Sequence, residues 1–225
     1  MSKEELYRII ECYGDAARRA QLAGIDMVQV HCAHGYLVST FISQRTNNRT
    51  DEFGGCFENR MRLPRLIIEN IRKKTGGNLP ILCRINACDE VPGGQSVQDA
   101  AAVAAYLEQE CGVDALHVTR AVHLHDEFMW APGITHGGFN ADLVTEIKRA
   151  VSVPVIIVGS QSRSTQSSWS SRGDATLSPL AARASRTQSF PTKRGTISLR
   201  PLRPASAVFL GACPTCLRAG PSPAR

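Results

Sequence analysis

A chain of 225 residues with 43% hydrophobic content is long enough for one large domain or two small ones, and its composition is that of an ordinary globular protein. Its formal charge of +6 belongs to one end: residues 1–159 carry 16 Lys and Arg against 19 Asp and Glu, whereas residues 160–225 carry 10 against 1. The mildly acidic first part, with too few aromatics among the tail arginines for a single-strand binder, excludes nucleic acid as the partner; the charged start and the lack of any apolar run near ~18 residues exclude a signal peptide and a membrane span, so a cytoplasmic location is expected.

The first predicted element is a helix beginning at Ser2. Leu6, Ile9, Ile10, Tyr13, Ala17 and Ala20 recur at helical spacing, Ser2 with Glu5 forms a capping box, and Gly24 suits a left-handed stop. The apolar run 26–31 predicts a strand, followed by a polar loop to about residue 58 and a helix to Lys74 with Leu66, Ile67 and Ile71 inward. Pro64 must fall near the start of that helix, because an interior proline would lose a hydrogen bond. The pattern then repeats as strand 80–86, a helix over 96–110 capped by Ser96, strand 113–119, a helix over 141–150 capped by Asn140, and strand 153–158.

Short apolar strands separated by helices predict a parallel sheet, because a parallel crossover needs a helix. Two architectures satisfy this pattern, a doubly wound sheet and part of a (β/α)8 barrel. No G-x-G-x-x-G follows any strand, which disfavours the first. His31, Arg84, Thr119-Arg120 and Gly159 each stand at or just beyond the C-terminal end of a strand, where barrel enzymes place their chemistry. The eight cysteines have no framework spacing and are expected to be reduced; Cys213 and Cys216 form a lone C-x-x-C, too little for a zinc site, and no metal is expected.

The segment from "AARRAQLAGIDMVQVHCAHGYL" through "NNRTDEFGGCFENR" resembles the Old Yellow Enzyme family of FMN-dependent ene-reductases, in particular the branch holding 2,4-dienoyl-CoA reductase and 2-enoate reductase. The similarity runs from about residue 10 to residue 159. It implies an incomplete TIM barrel, with about strands 4 to 7 of eight present. It also implies FMN as cofactor, NAD(P)H as reductant, and an α,β-unsaturated carbonyl or enoyl-CoA as the small-molecule substrate.

By the same resemblance, His31 and His34 would hydrogen-bond the substrate carbonyl oxygen while hydride reaches the β-carbon, and Tyr36 would protonate the α-carbon. Arg84 and Gly159 would bind the cofactor, Arg84 at the pyrimidine edge of the flavin. Arg49, Asp51, Asn59 and Arg60 are expected to brace the loop after the first strand, and His123 and His125 to be solvated loop residues.

The chain also departs from the family. It starts at about the helix before the fourth strand, and residues 160–225 form a Ser-, Arg- and Pro-rich stretch without apolar periodicity, expected to be a disordered tail. Shifting the reading frame lets "ATLSPLAARASRTQSFPTK" accommodate D-L-V-A-L-G-R-A and L-A-D-P-E-F-P, and "PASAVFLGAC" accommodate C-I-G-C-x-x-G-C. The expected parent is therefore a longer protein carrying FAD and a [4Fe-4S] cluster as well, with the tail read out of frame.

A barrel lacking half its strands is expected to bind flavin weakly and to dissolve poorly, because unpaired strand edges aggregate. The rival reading is an inactive fragment that binds a partner, or a second copy of itself as a homo-oligomer, through those edges. A metal or Schiff-base lyase is disfavoured: no lysine ends a predicted strand, and no carboxylate–histidine cluster offers ligands.

Overall fold

The computed structural model describes residues 1–124 and 139–157, together with the backbone of strand segments at 188–192, 195–199 and 207–210. Helix α1 (Lys3–Leu22) is held at its start by the expected reciprocal cap, the Glu5 amide donating to Ser2 Oγ at 3.2 Å and the Ser2 amide to Glu5 Oε2 at 2.7 Å. Its six predicted core residues are all buried, and Gly24, at φ 77°, turns the chain into β1 (Met27–Cys32).

Two short helices follow, α2 (Leu37–Ile42) and α3 (Phe57–Arg60), and α3 leads into α4 (Arg62–Thr75). The one helix expected to reach Lys74 is thus two, meeting at Met61. Its buried stripe is Leu63, Ile67, Ile68 and Ile71, with Leu66 displaced to a half-buried flank. Residues four apart lie on one line, so the Leu63–Ile67–Ile71 row takes the centre of the contact and Leu66 falls beside it. Pro64 sits in the first turn, where its missing N–H leaves no intrahelical bond unmade.

Helices α1 and α4 pack closely where Gly14 meets Asn70. A Cβ at Gly14 would stand 1.8 Å from Asn70 Oδ1 and 2.8 Å from Lys74 Cδ, so a larger residue there would push both side chains out of their present positions.

The remaining elements are β2 (Ile81–Asn86), α5 (Val97–Gln109), β3 (Ala115–Thr119), α6 (Ala141–Arg149) and β4 (Val155–Ile157). Ser96 caps α5 in a capping box with Asp99. Asn140 does occupy the N-cap of α6 but makes no side-chain cap bond. Its φ of −94° and ψ of 1° lie outside the extended region that aims a capping oxygen at the free amides.

Strands β1 to β4 form a parallel sheet in the order β4-β3-β2-β1, as the alternation of strands and helices predicts. Successive side chains point to opposite faces, which divides the sheet chemically. Val28, Val30, Cys32, Ile81, Cys83, Ile85, Leu116, Val118, Val155 and Ile157 join the helices in one continuous core, where each large apolar side chain contributes roughly 1.5–3 kcal/mol by leaving water.

The opposite, inner face is apolar at its base, where Met27, Leu82, Ala115 and Ile156 cluster, and polar above it. His31, Arg84 and His117 stand in register as one layer across β1, β2 and β3.

Within the segment expected to lack regular structure, three short strands are described. Strands β5 (Gln188–Thr192) and β6 (Gly195–Leu199) form an antiparallel hairpin, and β7 (Ala207–Leu210) runs parallel to β1, with Val28 opposite Val208. A four-residue apolar run differs from its Ser- and Arg-rich surroundings, and the open backbone groups of the β1 edge are a template for such a segment. The six cysteines at positions 12, 32, 56, 83, 88 and 111 are free. Among the described residues no helix is long and apolar enough to cross a membrane.

Candidate active site

The site begins where β1 ends. His31 is on the inner face of the strand, and the chain then turns sharply through His34 at φ 63° and Gly35 at φ 76° before Tyr36 opens α2 as its N-cap residue. A left-handed histidine needs outside support, and His34 has it on three sides. Its amide donates to Asn86 Oδ1 at 3.1 Å, its carbonyl accepts from the His123 amide at 3.3 Å, and its Nε2 lies 2.9 Å from Thr119 Oγ1.

The ends of β2 and β3 thereby fold the His34 ring back toward His31. The ring centroids of His31 and His34 are 5.1 Å apart, those of His31 and Tyr36 5.3 Å, and those of His34 and Tyr36 6.5 Å. The three groups singled out by the sequence therefore form one cluster on the sheet's C-terminal rim, with Tyr36 exposed to incoming molecules.

Arg84 lies beside them, its Nη2 donating to Thr119 Oγ1 at 3.3 Å, so a single hydroxyl links the arginine to His34. Its Nε is buried and has no partner, and no carboxylate among the described residues pairs with it. Arg72 offers the contrast. At the other end of the sheet it forms an ion pair with Asp114 at 2.6 Å, and that carboxylate also accepts from the Ile81 amide. A buried guanidinium without a carboxylate is an anion or acceptor site awaiting its ligand.

The histidines answer to this charge. Burial, then the nearby Arg84 cation, hold His31 down at about 4 and His34 at about 3, so both rings are neutral near pH 7. A neutral imidazole carries one N–H, which makes each ring a single hydrogen-bond donor. His31 Nδ1 is buried and unpartnered. Donors, a phenol and an unpaired cation thus converge on one rim, suited to a flat, electron-rich or carbonyl-bearing ligand.

Three features escaped the sequence reading. His123, expected in solvent, is exposed yet built into the site: its Nδ1 donates to the His34 carbonyl at 3.1 Å, and its ring lies 6.2 Å from that of Tyr36 at an interplanar angle of 24°. Gly35 makes this possible, since a Cβ there would stand 2.9 Å from His123 Nδ1.

Asn86 supports His34, together with Thr119, whose strand-end position the sequence did show but whose bond to His34 it did not. Gln29 and His117 form a buried pair deeper on the inner face. The available signal was polar residues at alternating positions inside apolar runs, 29 and 31, 84 and 86, 117 and 119. Arg120, also at the rim, turns away to pair with Glu90 at 2.6 Å. Gly159, His125, Cys213 and Cys216 lie outside the described residues.

Arg49, Asp51, Asn59 and Arg60 brace the intervening loop. Arg49 binds Asp51 through two nitrogens, Asp51 Oδ1 accepts from the Phe53 amide, Arg60 reaches the carbonyls of Ile42 and Gly55, and Asn59 accepts from Arg62.

Comparison with known proteins bears on this geometry. The chain is 41% identical over 155 residues to an NADH oxidase of Thermoanaerobacter brockii, covering 69% of this chain and 24% of that protein. It is 33% identical over 159 residues to an NADPH dehydrogenase of Halalkalibacterium halodurans, covering 71% of this chain and 45% of that one. The chain therefore spans less than half the length of these curated relatives.

Among solved structures it superposes on 2-naphthoyl-CoA reductase with a TM-score of 0.71 at 26% identity, over 81% of this chain and 28% of the other. On morphinone reductase in complex with tetrahydroNAD the TM-score is 0.60 at 25% identity, over 81% and 47%. Its neighbours include an old yellow enzyme homologue from Zymomonas mobilis, and the parallel α/β sheet described above agrees with part of such a barrel. The sequence model of the NADH:flavin oxidoreductase / NADH oxidase family matches residues 1–187, and the chain belongs to that family.

Proposed function

We propose that this chain furnishes the substrate-binding and proton-donating rim of an FMN-dependent NAD(P)H oxidoreductase that reduces the C=C bond of an α,β-unsaturated carbonyl compound. The substrate's carbonyl oxygen lies between His31 and His34, whose neutral rings each offer one N–H. Negative charge builds on that oxygen during reduction, and preplaced donors in a largely buried setting stabilise it. Tyr36, exposed at the mouth of the cluster, delivers a proton to the α-carbon. Asn86, Thr119 and His123 hold His34 in its left-handed turn and so fix the donor geometry.

Arg84 is the residue of the described chain that fits the cofactor: its unpartnered Nε and unpaired charge suit the electron-rich edge of a flavin. FMN, when bound, supplies the hydride chemistry, recharged by NAD(P)H. Gly159, just past the end of β4, is assigned to the same cofactor on the resemblance.

The finer reading places β1 to β4 as strands 4 to 7 of an eight-stranded barrel and the chain in the 2,4-dienoyl-CoA and 2-enoate reductase branch. FAD and a [4Fe-4S] cluster would belong to a longer parent. A relative of which this chain spans only 24% supports the longer parent.

The observation that carries the proposal is the cluster of His31, His34 and Tyr36, with rings 5.1 to 6.5 Å apart, above an arginine that pairs with no carboxylate among the described residues. Steady-state reduction of a simple cyclic enone with NADPH and added FMN tests it. Tyr36→Phe is expected to lower kcat by about 100-fold or more, with FMN affinity and far-UV circular dichroism unchanged. Wild-type turnover in the variant would refute the assignment.

A further inference from the structure

Beneath the histidine and tyrosine cluster lies a second polar pair that the reaction above does not use. Gln29 on β1 and His117 on β3 are 5% and 8% exposed, and they meet across the intervening β2, His117 Nδ1 lying 2.8 Å from Gln29 Oε1. An amide oxygen only accepts, so His117 carries its proton on Nδ1 and presents a lone pair at Nε2. That Nε2 and the Gln29 Nε2 are both buried without a partner, as is Arg84 Nε in the layer His117 shares. Four strand residues therefore hold unpartnered polar atoms on this face: Gln29 and His31 from β1, Arg84 from β2 and His117 from β3.

The charges facing His117 can be named element by element. β1 presents His31 and the neutral Gln29, β2 presents Arg84, β3 presents Thr119, and the turn after β1 presents His34. No carboxylate stands among them. A carboxylate in the place of the Gln29 amide would draw a proton onto the ring; here the partner is neutral.

We propose that Gln29 is a charge-setting positioning residue: as an uncharged partner for His117 it keeps the inner face free of a second charge pair and leaves Arg84 as the only fixed charge that the described strand residues set on that face. Burial, followed by Arg84, His34 and His31, holds His117 down at about 3, in keeping with a ring that stays neutral. A glutamate at position 29 would fit the same space with opposite consequences. It would draw a proton onto His117 and set a negative charge near Arg84, so the arginine would no longer face its ligand uncompensated. The proposal rests on Arg84 as the flavin-facing cation only for its functional consequence, since the charge assignment concerns the ligand-free chain.

The test uses the full 225-residue chain and two substitutions of similar size, Gln29→Glu and Gln29→Met. Histidine side-chain NMR titration of the ligand-free proteins reads His117 directly. Gln29→Glu is expected to raise its midpoint by about 1–3 pH units, and Gln29→Met to leave the ring neutral down to the acid limit of the fold. With FMN added, Gln29→Glu is expected to lower the preference for reduced over oxidised flavin about tenfold, a fall in midpoint potential of about 30 mV, and Gln29→Met to leave the potential in place.

An unmoved His117 in Gln29→Glu overturns the proposal, and so does an equal fall in potential in both variants, because a purely structural role would respond to both. Should the wild-type chain take no FMN, the proposed function falls, while a raised His117 midpoint in Gln29→Glu still supports the charge assignment.

Discussion

Burial beside Arg84 keeps His34 and His117 neutral, at about 3 in the folded chain, against about 6.5 when unfolded. Above pH ~6.5 both states hold the rings uncharged and stability does not depend on them. As pH falls from there toward 3, the unfolded chain takes up protons that the folded chain refuses. Stability then declines with a limiting slope of about 1.4 kcal/mol per pH unit for each ring. Asp51, held down at about 2 by Arg49, loses its contribution only in more acid solution, so the window above pH ~4.5 isolates the histidines. Urea midpoints should be level from pH ~8 to ~7 and fall between pH ~6 and ~4.5; a flat profile there would contradict neutral burial.

His123 makes a separate prediction at the same scale. Removing its ring in His123→Ala deletes one donor to the His34 carbonyl and the partner of the Tyr36 ring, so enone turnover should fall by about tenfold. The melting temperature should barely move, because the ring is exposed.

At the scale of elements, stability and chemistry occupy opposite faces and ends of the same strands. Helices α1 and α4 pack through Gly14 and the Leu63–Ile67–Ile71 row, and the Arg72–Asp114 pair fastens α4 to the end of the sheet away from the histidines. Helix α5 is seated by its capping box, with the Ser96 oxygen accepting from the Asp99 amide. Ser96→Ala should cost about 1 kcal/mol in thermal or urea unfolding, with ligand binding unchanged, because the adjacent Gln95 is held separately by Asp89 and by the carbonyl of Asn86, the residue that accepts from the His34 amide. A loss of affinity for FMN in that variant would mean that loosening α5 reaches the site through Gln95 and Asn86.

The four central strands are legible in sequence because each is a short apolar run ended by turn residues. Helix α3 escaped because four residues are too few to show a period. The Leu66 shift escaped because the neighbour that selects the buried row is α1, a contact between distant parts of the chain.

For the whole molecule, the sheet order places β7 on the outer edge of β1, with Gln29 opposite Phe209 and Val30 opposite Leu210. An unpaired edge invites other strands, so covering β1 should hold back self-association. Val208→Pro removes a backbone donor and leaves a proline ring in the ladder. It should increase the apparent mass by light scattering at high protein concentration, while far-UV circular dichroism retains the α/β signal of β1 to β4. An unchanged mass would show that the β1 edge does not govern association. The same scale decides where chemistry sits, since residues from three strands and the loops after two of them reach one rim only once the strands run parallel and in register.

Sequence alone determined the alternation of helices and strands, the parallel sheet, the caps at Ser2 and Ser96, and the residues His31, His34, Tyr36 and Arg84 at strand ends, because periodicity, capping and strand termini are local in the chain. Tertiary structure decided that His34 sits in a left-handed turn held by Asn86, Thr119 and His123, that Arg84 meets no carboxylate among the described residues, and that Gln29 finds His117 across 88 positions. Those facts depend on which distant residues share a register and a dielectric environment, and a linear pattern carries neither.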